Sequence, residues 1–196
     1  EGCLIGCWAI GAKVAYIYIR GEFYHVQKLM EAELGKAYAQ GYVGKNIAGT
    51  DFSCDVVLHW GAGAYIVGEE TGLIESLEGN RGMPRLKPPF FPAAKGLYLQ
   101  PTIVNNIETV CNLPWIVLNG GDAFAEKGAE TSRGTRLFAV SGHVQRPGVY
   151  EIINGTTTFR DMIYGDEFCG GIRGGRELKA FVPGGADELN PWLEKA

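Results

Sequence analysis

The chain is short of histidine, of cysteines at ligand spacing and of long apolar runs, and each shortage closes off a class of function. Its three histidines, at 25, 59 and 143, are too scattered for an HExxH metal helix. Its five cysteines, at 3, 7, 54, 111 and 169, are odd in number and include no CxxC pair. That argues against a disulfide framework and reads as reduced, mostly buried thiols of an intracellular protein. Cys3 and Cys7 would share one helix face, yet they lack the third and fourth ligands of a zinc site. No stretch approaches the roughly 18 consecutive apolar residues of a membrane helix; the best candidate, Leu113 to Leu118, is far too short. Lys and Arg number 18 against 22 Asp and Glu, a net charge of −4 with no basic stripe, which argues against a nucleic-acid partner. The common nucleotide and nucleophile fingerprints are missing as well. Gly61-x-Gly63 is followed by glycine at 68 rather than 66, so GxGxxG is not met, and neither GxxxxGK[ST] nor GxSxG occurs.

Glycine, in contrast, is abundant. The 29 glycines are about twice the usual share of about 7%. They are not periodic, which excludes collagen and solenoid architectures. They cluster at 61–82, 119–121, 165–175 and 184–185, as expected for tight loops around a ligand and for turns between short strands. The 46% hydrophobic and 20% charged content is that of a soluble globular protein of one large or two small domains.

Val14 to Arg20 is β-branched and aromatic between two glycines and reads as a buried strand. Val26, Leu29, Met30, Leu34, Ala37 and Tyr38 recur at helical spacing, with Gly41 to end the helix. DVVLHW (55–60) is a second strand running into the Gly61 loop. Strand, helix, strand, glycine loop and helix are the grammar of an α/β unit with a parallel sheet, whose ligands sit at the carboxyl ends of strands. A helix is expected over Asn105 to Leu113, broken by Pro114. Near residue 130 a polar linker, GAETSRGT, separates residues 1–130 from 131–196. RLFAVSG and GVYEII then read as two strands joined by the turn His143–Pro147. Thr158 to Asp161 matches a capping box opening a helix over Phe159 to Tyr164. A returning strand over Leu178 to Val182, ended by Pro183-Gly184-Gly185, would complete a small β-grasp-like module.

The densest chemistry lies in GAGAYIVGEETGLIESLEGNRGMPRLKPPF (61–90). Glycines let backbone N–H groups approach a ligand closely. Glu69 and Glu70 place two like charges side by side, which costs free energy unless something uses them. Those glycines alone also fit a surface turn leading into an amphipathic helix, with the glutamates complementing its N-terminus. In Lys87-Pro88-Pro89-Phe90, two prolines would hold an extended arm that presents a lysine for phosphate and an aromatic for stacking; a proline-rich surface connection is the plainer alternative. Asn105, Asn106 and Thr109 gather at a helix start, where phosphate binds well and asparagine also caps routinely. His59, beside the glycine loop, reads as a structural histidine.

Taken together, residues 61–90 and PTIVNNIET (101–109) closely resemble the flavoprotein (51-kDa) subunit of respiratory NADH:quinone oxidoreductase, complex I. AYIYIRGEF (15–23) and SGHVQRPGVYE (141–151) match the same family, so the resemblance spans nearly the whole chain. That family includes the diaphorase subunits of NAD-linked hydrogenases and formate dehydrogenases. The resemblance implies a partial Rossmann-like FMN-binding α/β domain over 1–130, followed by a β-grasp-like (soluble-ligand-binding) domain over 131–196. It implies hydride transfer from NADH to FMN, then single-electron transfer to iron–sulfur clusters. Gly68, Glu69 and Glu70 would lie near the flavin ring, with Glu70 the catalytic residue, and Asn105, Asn106 and Thr109 toward its phosphate. Glu70, Lys87 and Phe90 would contact NADH. The implied setting is a peripheral arm on the cytoplasmic or matrix face of an energy-transducing membrane, or the cytoplasm. The implied partners are other subunits of the complex, including a 2Fe-2S (24-kDa-like) subunit.

Several positions depart from the family pattern. Val67 stands for a usual cysteine, Gly72 for alanine and Leu99 for glycine, and Phe91 is an extra residue expected to shift Pro92 and re-aim Phe90. The first glycine-rich FMN loop and the CxxCxxC run for a [4Fe-4S] cluster match nothing here, so no cysteine is assigned to a cluster. The chain opens Glu-Gly-Cys and reads as the middle of something longer. A fragment of that kind is expected to be inactive alone. It would then serve at most as a non-catalytic binding or scaffold module.

Overall fold

Two runs rich in β-branched and aromatic residues become the first sheet, in a computed structural model that describes residues 1–184. The chain divides into two units, Glu1–Trp115 and Ile116–Ala196. In order, the first unit holds α1 (Gly2–Ile10), β1 (Val14–Ile19), α2 (Tyr24–Ala39), β2 (Asp55–Trp60), α3 (Glu70–Leu77) and α4 (Pro92–Lys95), and α5 (Ile107–Asn119) runs across the boundary. Strands β1 and β2 pair in parallel from Val14↔Asp55 to Ile19↔Trp60. Parallel neighbours need a long crossover, and α2 supplies it. This helix is capped at its C-terminus by Gln40, and Gly41 takes the left-handed φ of 74° that a following glycine adopts cheaply.

Three expectations for this unit need correction. First, β1 is not buried: Val14 and Tyr16 are 42% and 44% exposed. Among the described residues its sheet has only two strands, with α1 packed on β1 and α2 on β2, too little to cover both faces. Second, α1 precedes the first expected element. GCLIGCWAI is apolar on nearly every face, so no helical periodicity announces it. Third, α5 starts at Ile107 and runs through Pro114 to Asn119. Proline removes only its own donor, and helical bonding resumes beyond it, ending with Gly120 N–H on the Ile116 carbonyl at 2.8 Å.

The second unit comprises α6 (Gly121–Ala125), β3 (Gly128–Ala129), β4 (Ser132–Arg133), β5 (Thr135–Val140), β6 (Gly148–Ile153) and α7 (Phe159–Tyr164). The polar stretch near 130 is a small hairpin, β3 with β4, rather than an open linker. The division between units precedes it because Ala129 N–H donates to the Asn154 carbonyl at 2.9 Å, tying β3 to the end of β6. Strands β5 and β6 pair antiparallel, from Thr135↔Ile153 to Val140↔Gly148. Helix α7 carries the expected capping box between Thr158 and Asp161, and the Thr158 hydroxyl and N–H hold the Asp161 carboxyl below its ordinary range. Val144, Ile163 and Cys169 form the core. Residues 178–182 do not form the expected strand; their side chains serve instead, with Leu178 and Phe181 packed on that core and the Phe181 ring 5.0 Å from Phe159. Gly185, the last residue of the expected terminator, lies outside the described residues.

Candidate functional site

Strand β2 delivers the chain into Gly61-Ala62-Gly63 at the carboxyl end of the sheet. Gly61 N–H donates to the Ile19 carbonyl at 2.7 Å, and a Cβ on Gly21 would stand 2.6 Å from the Gly61 carbonyl oxygen. The two backbones touch here because both residues are glycine. Tyr18 lies against Gly61 and its hydroxyl shares a 3.0 Å hydrogen bond with Ser76 of α3, joining sheet to helix. His59 stacks on the Tyr18 ring at 5.1 Å, a structural placement. After the turn at Tyr65–Gly68, a Cβ on Gly68 would meet nothing within 4 Å, so this glycine faces open space.

The adjacent glutamates have separate surroundings. Glu69 caps α3: its Oε2 accepts from the N–H groups of Thr71 and Gly72 at 2.8 and 2.9 Å and from Thr71 Oγ1 at 2.5 Å. Burial opposes its charge, but hydrogen bonds from Thr71, Gly72 and Lys87 outweigh that and hold the carboxyl down at about 2. Lys87 Nζ reaches Glu70 Oε1 at 2.5 Å and Glu69 Oε1 at 3.1 Å, and these two partners, Glu70 first, push the ammonium up. The paired carboxylates are therefore compensated by one lysine from 17 residues on and by free helix amides.

The arm that brings Lys87 is not extended. Residues 87–89 form a turn, and Phe90 N–H reaches the Leu86 carbonyl at 3.3 Å. Proline fixes φ alone, which leaves the path of the chain to its other torsions. The Phe90 ring lies 5.9 Å from the Arg85 guanidinium carbon. Phe91 stands before α4 and is 52% exposed, while Pro92 is buried at the first position of that helix. Asn105, Asn106 and Thr109 are exposed at the start of α5. Asn106 Oδ1 accepts from Glu108 N–H at 2.8 Å, an ordinary cap. Among the described residues, no hydrogen bond joins Asn105 or Thr109 to the Glu69–Glu70–Lys87 cluster.

Sequence reasoning missed Arg85. Its side chain is only 9% exposed, with Nε on Glu75 at 2.5 Å, Nη2 on Glu78 at 2.6 Å and Nη1 on the Gly96 carbonyl at 3.0 Å. Its backbone N–H donates to Thr71 Oγ1 at 2.7 Å. Burial opposes the guanidinium charge, but Glu75 and Glu78 more than offset it, and Arg85 in turn lowers the Glu75 carboxyl. The available signal was two acids three apart, Glu75 on α3 and Glu78 at its C-cap, facing an arginine in the loop that follows.

The cysteines are free, and Cys7, Cys54 and Cys169 are buried. Burial, then the neighbouring Cys54, pushes the Cys7 thiol up to about 12, which makes it a poor nucleophile. Among the described residues no three His, Cys, Asp or Glu side chains gather to hold a metal ion. No helix among them is long and apolar enough to cross a membrane. Leu99, where the family resemblance has glycine, adopts φ 60° and is 60% exposed. A Leu99→Gly variant is expected to gain about 1 kcal/mol, because the left-handed conformation costs a branched residue about that much and a side chain 60% exposed gives up little packing; a urea midpoint unchanged from wild type would contradict it.

Residues 1–115 match the family model of the Nuo51 FMN-binding domain of the complex I 51-kDa subunit. The chain belongs to that family. The Nuo51 match ends where the first unit ends. Curated relatives extend the similarity further. The chain is 51% identical over 187 residues to the F subunit of NADH-quinone oxidoreductase of Rickettsia typhi, covering 95% of this chain and 44% of the relative. It is 48% identical over 186 residues to the corresponding protein of Mycobacterium tuberculosis, covering 95% and 41%. The chain thus spans less than half the length of these Nuo51 relatives. Among solved structures, the air-oxidized NAD+-reducing [NiFe]-hydrogenase matches with a TM-score of 0.76 and 33% identity, covering 96% of this chain and 31% of that one. The H2-reduced form matches at 0.69 and 40% identity, covering 78% and 25%.

Proposed function

We propose that the chain forms part of the electron-input site of an NADH dehydrogenase, binding FMN and the NADH that reduces it. The observation that carries this reading is the Glu69–Glu70–Lys87 cluster beside an open glycine, at the carboxyl end of a parallel sheet, in a chain of the Nuo51 family. The donor set suits the cofactor. Gly68 leaves room for a planar ring, and Glu70, with 41% of its side chain exposed, faces outward while Glu69 is committed to capping. FMN supplies the hydride acceptor and the one-electron carrier. Glu70 would orient the nicotinamide and Lys87 would meet dinucleotide phosphate, leaving its carboxylates as it does so. Phe90 would stack on the adenine, and Asn105, Asn106 and Thr109, at the N-terminus of α5, would serve the flavin phosphate. On the same reading residues 1–130 belong to the FMN and NADH domain and 131–196 to a β-grasp-like module. The partners would include a 2Fe-2S subunit, with the whole on the peripheral arm.

A diaphorase role in a soluble hydrogenase shares this site chemistry, and the hydrogenase structural matches favour keeping it beside the first reading. The test is a chimera in which this chain replaces the matching segment of the Rickettsia typhi relative. It is expected to take up FMN and reduce ferricyanide with NADH; a folded, flavin-free chimera would overturn the proposal and leave a non-catalytic module. In the active chimera Glu70→Gln is expected to change the KM for NADH by about tenfold, the worth of a hydrogen bond to a charged group, with FMN content retained. An unaltered KM and kcat would remove Glu70 from the site.

A further inference from the structure

One hydroxyl joins the two halves of the candidate site. Thr71 is 1% exposed, and its Oγ1 donates to Glu69 Oε2 at 2.5 Å while accepting from Arg85 N–H at 2.7 Å. Glu69 belongs to the start of α3. Arg85 lies two residues before Lys87, on the loop that returns to that helix. The Arg85 side chain then fixes the loop a second time, against Glu75 further along α3, against Glu78 at the C-cap of that helix and against the Gly96 carbonyl beyond the proline turn. The loop is thus held at its backbone by Thr71 and at its side chain by two carboxylates. The Lys87 ammonium, by contrast, bonds to the two glutamates of the cluster.

We propose that Thr71 and Arg85 are positioning residues, a latch that holds the 85–90 loop so that Lys87 Nζ sits between Glu69 and Glu70. Neither touches the proposed ligands; each acts through Lys87. Their value for NADH binding rests on the functional reading above, but the latch itself is a property of this chain. A mobile lysine beside two carboxylates pays the ordering entropy of its loop at the moment of binding, and a latched loop does not. A valine at 71 keeps the size and branching of threonine but can neither donate to Glu69 nor accept from Arg85, whereas a serine can do both.

The experiment reads the Lys87 amine directly, by the rate of its acetylation with acetic anhydride in the full chain, resolved by peptide mass spectrometry. With Thr71→Val the rate at Lys87 is expected to rise about fivefold, the equivalent of one hydrogen bond, while Lys36, on α2, stays at the wild-type rate. Thr71→Ser is expected to return Lys87 to the wild-type rate. Should Thr71→Val fail to fold, Arg85→Lys, which keeps the charge but loses the fork onto Glu75 and Glu78, is expected to release Lys87 in the same way. A Lys87 rate unmoved by the folded variants, or a serine variant that behaves like valine, would overturn the latch. The acetylation assay needs no flavin, so a folded chimera that binds no FMN, beside a chain that still shows the released lysine, would sink the functional reading and leave the latch standing.

Discussion

Arg85→Met lowers the stability of the first unit by about 2–3 kcal/mol, somewhat under the 3–5 kcal/mol of a fully buried broken pair. The discount follows from the partners, since the side chains of Glu75 and Glu78 keep 21% and 14% of their exposure. Methionine fills the volume but leaves the carboxylates of Glu75, on α3, and Glu78, at its C-cap, with no cation between them. Urea unfolding followed by the amide exchange of α3 measures the loss. Acid separates the causes. Glu69, held at about 2 against an ordinary 4.5, contributes stability that is present above about 4.5 and lost as pH falls through about 2. The Glu75 carboxyl is also lowered, first by Arg85, so its share has the same sign. Wild type therefore weakens as pH drops below 4.5, and the gap between it and Arg85→Met narrows, because the variant has already lost the Glu75 share. A gap that stays constant from pH 7 to pH 3 would show that Arg85 acts by packing alone.

Gly21→Ala costs about 2 kcal/mol, within the range for overpacking a tight contact. The new methyl would stand 2.6 Å from the Gly61 carbonyl oxygen and 3.1 Å from the Gly63 nitrogen, both backbone atoms that no rotamer change can move aside. Relief requires the glycine loop to shift, and Gly61 N–H then loses its 2.7 Å bond to Ile19. The same substitution at Gly35 is the control. That glycine lies in the interior of α2, has open space around it, and is expected to gain about 1 kcal/mol from helix propensity. Opposite signs for one chemical change, read as urea midpoints, would locate the cost in the close approach of the two chain segments; equal signs would refute it.

The parts legible in the sequence are those that short-range chemistry decides. Val14–Ile19 and Asp55–Trp60 are strands because β-branched and aromatic side chains gather there and each run ends near a glycine turn, and α2 follows from apolar residues at helical spacing. The capping box at Thr158 needs only four residues to be recognised. The expected strand at 178–182 failed because strand pairing depends on a partner elsewhere, and the apolar residues there were instead taken up by the core. The break at Pro114 failed because proline withholds only its own N–H, and the helix bonds on either side of it close without that donor although none of its side chains is buried.

At the site the division is similar. Glycine-rich turn, adjacent acids and lysine-proline arm were visible in residues 61–90 as composition, and their order alone carried the family resemblance. The sequence by itself determined which chemical groups are present, that like charges adjoin, and that a parallel α/β unit presents them. Only the tertiary structure decided that Glu69 caps a helix while Glu70 faces outward, that Lys87 closes on both, and that Thr71 and Arg85 hold it there. These pairings join residues 14 to 18 positions apart through a loop whose path no local propensity specifies. They form because burying Arg85 and the α3 terminus without partners would cost more than ordering the loop that supplies them.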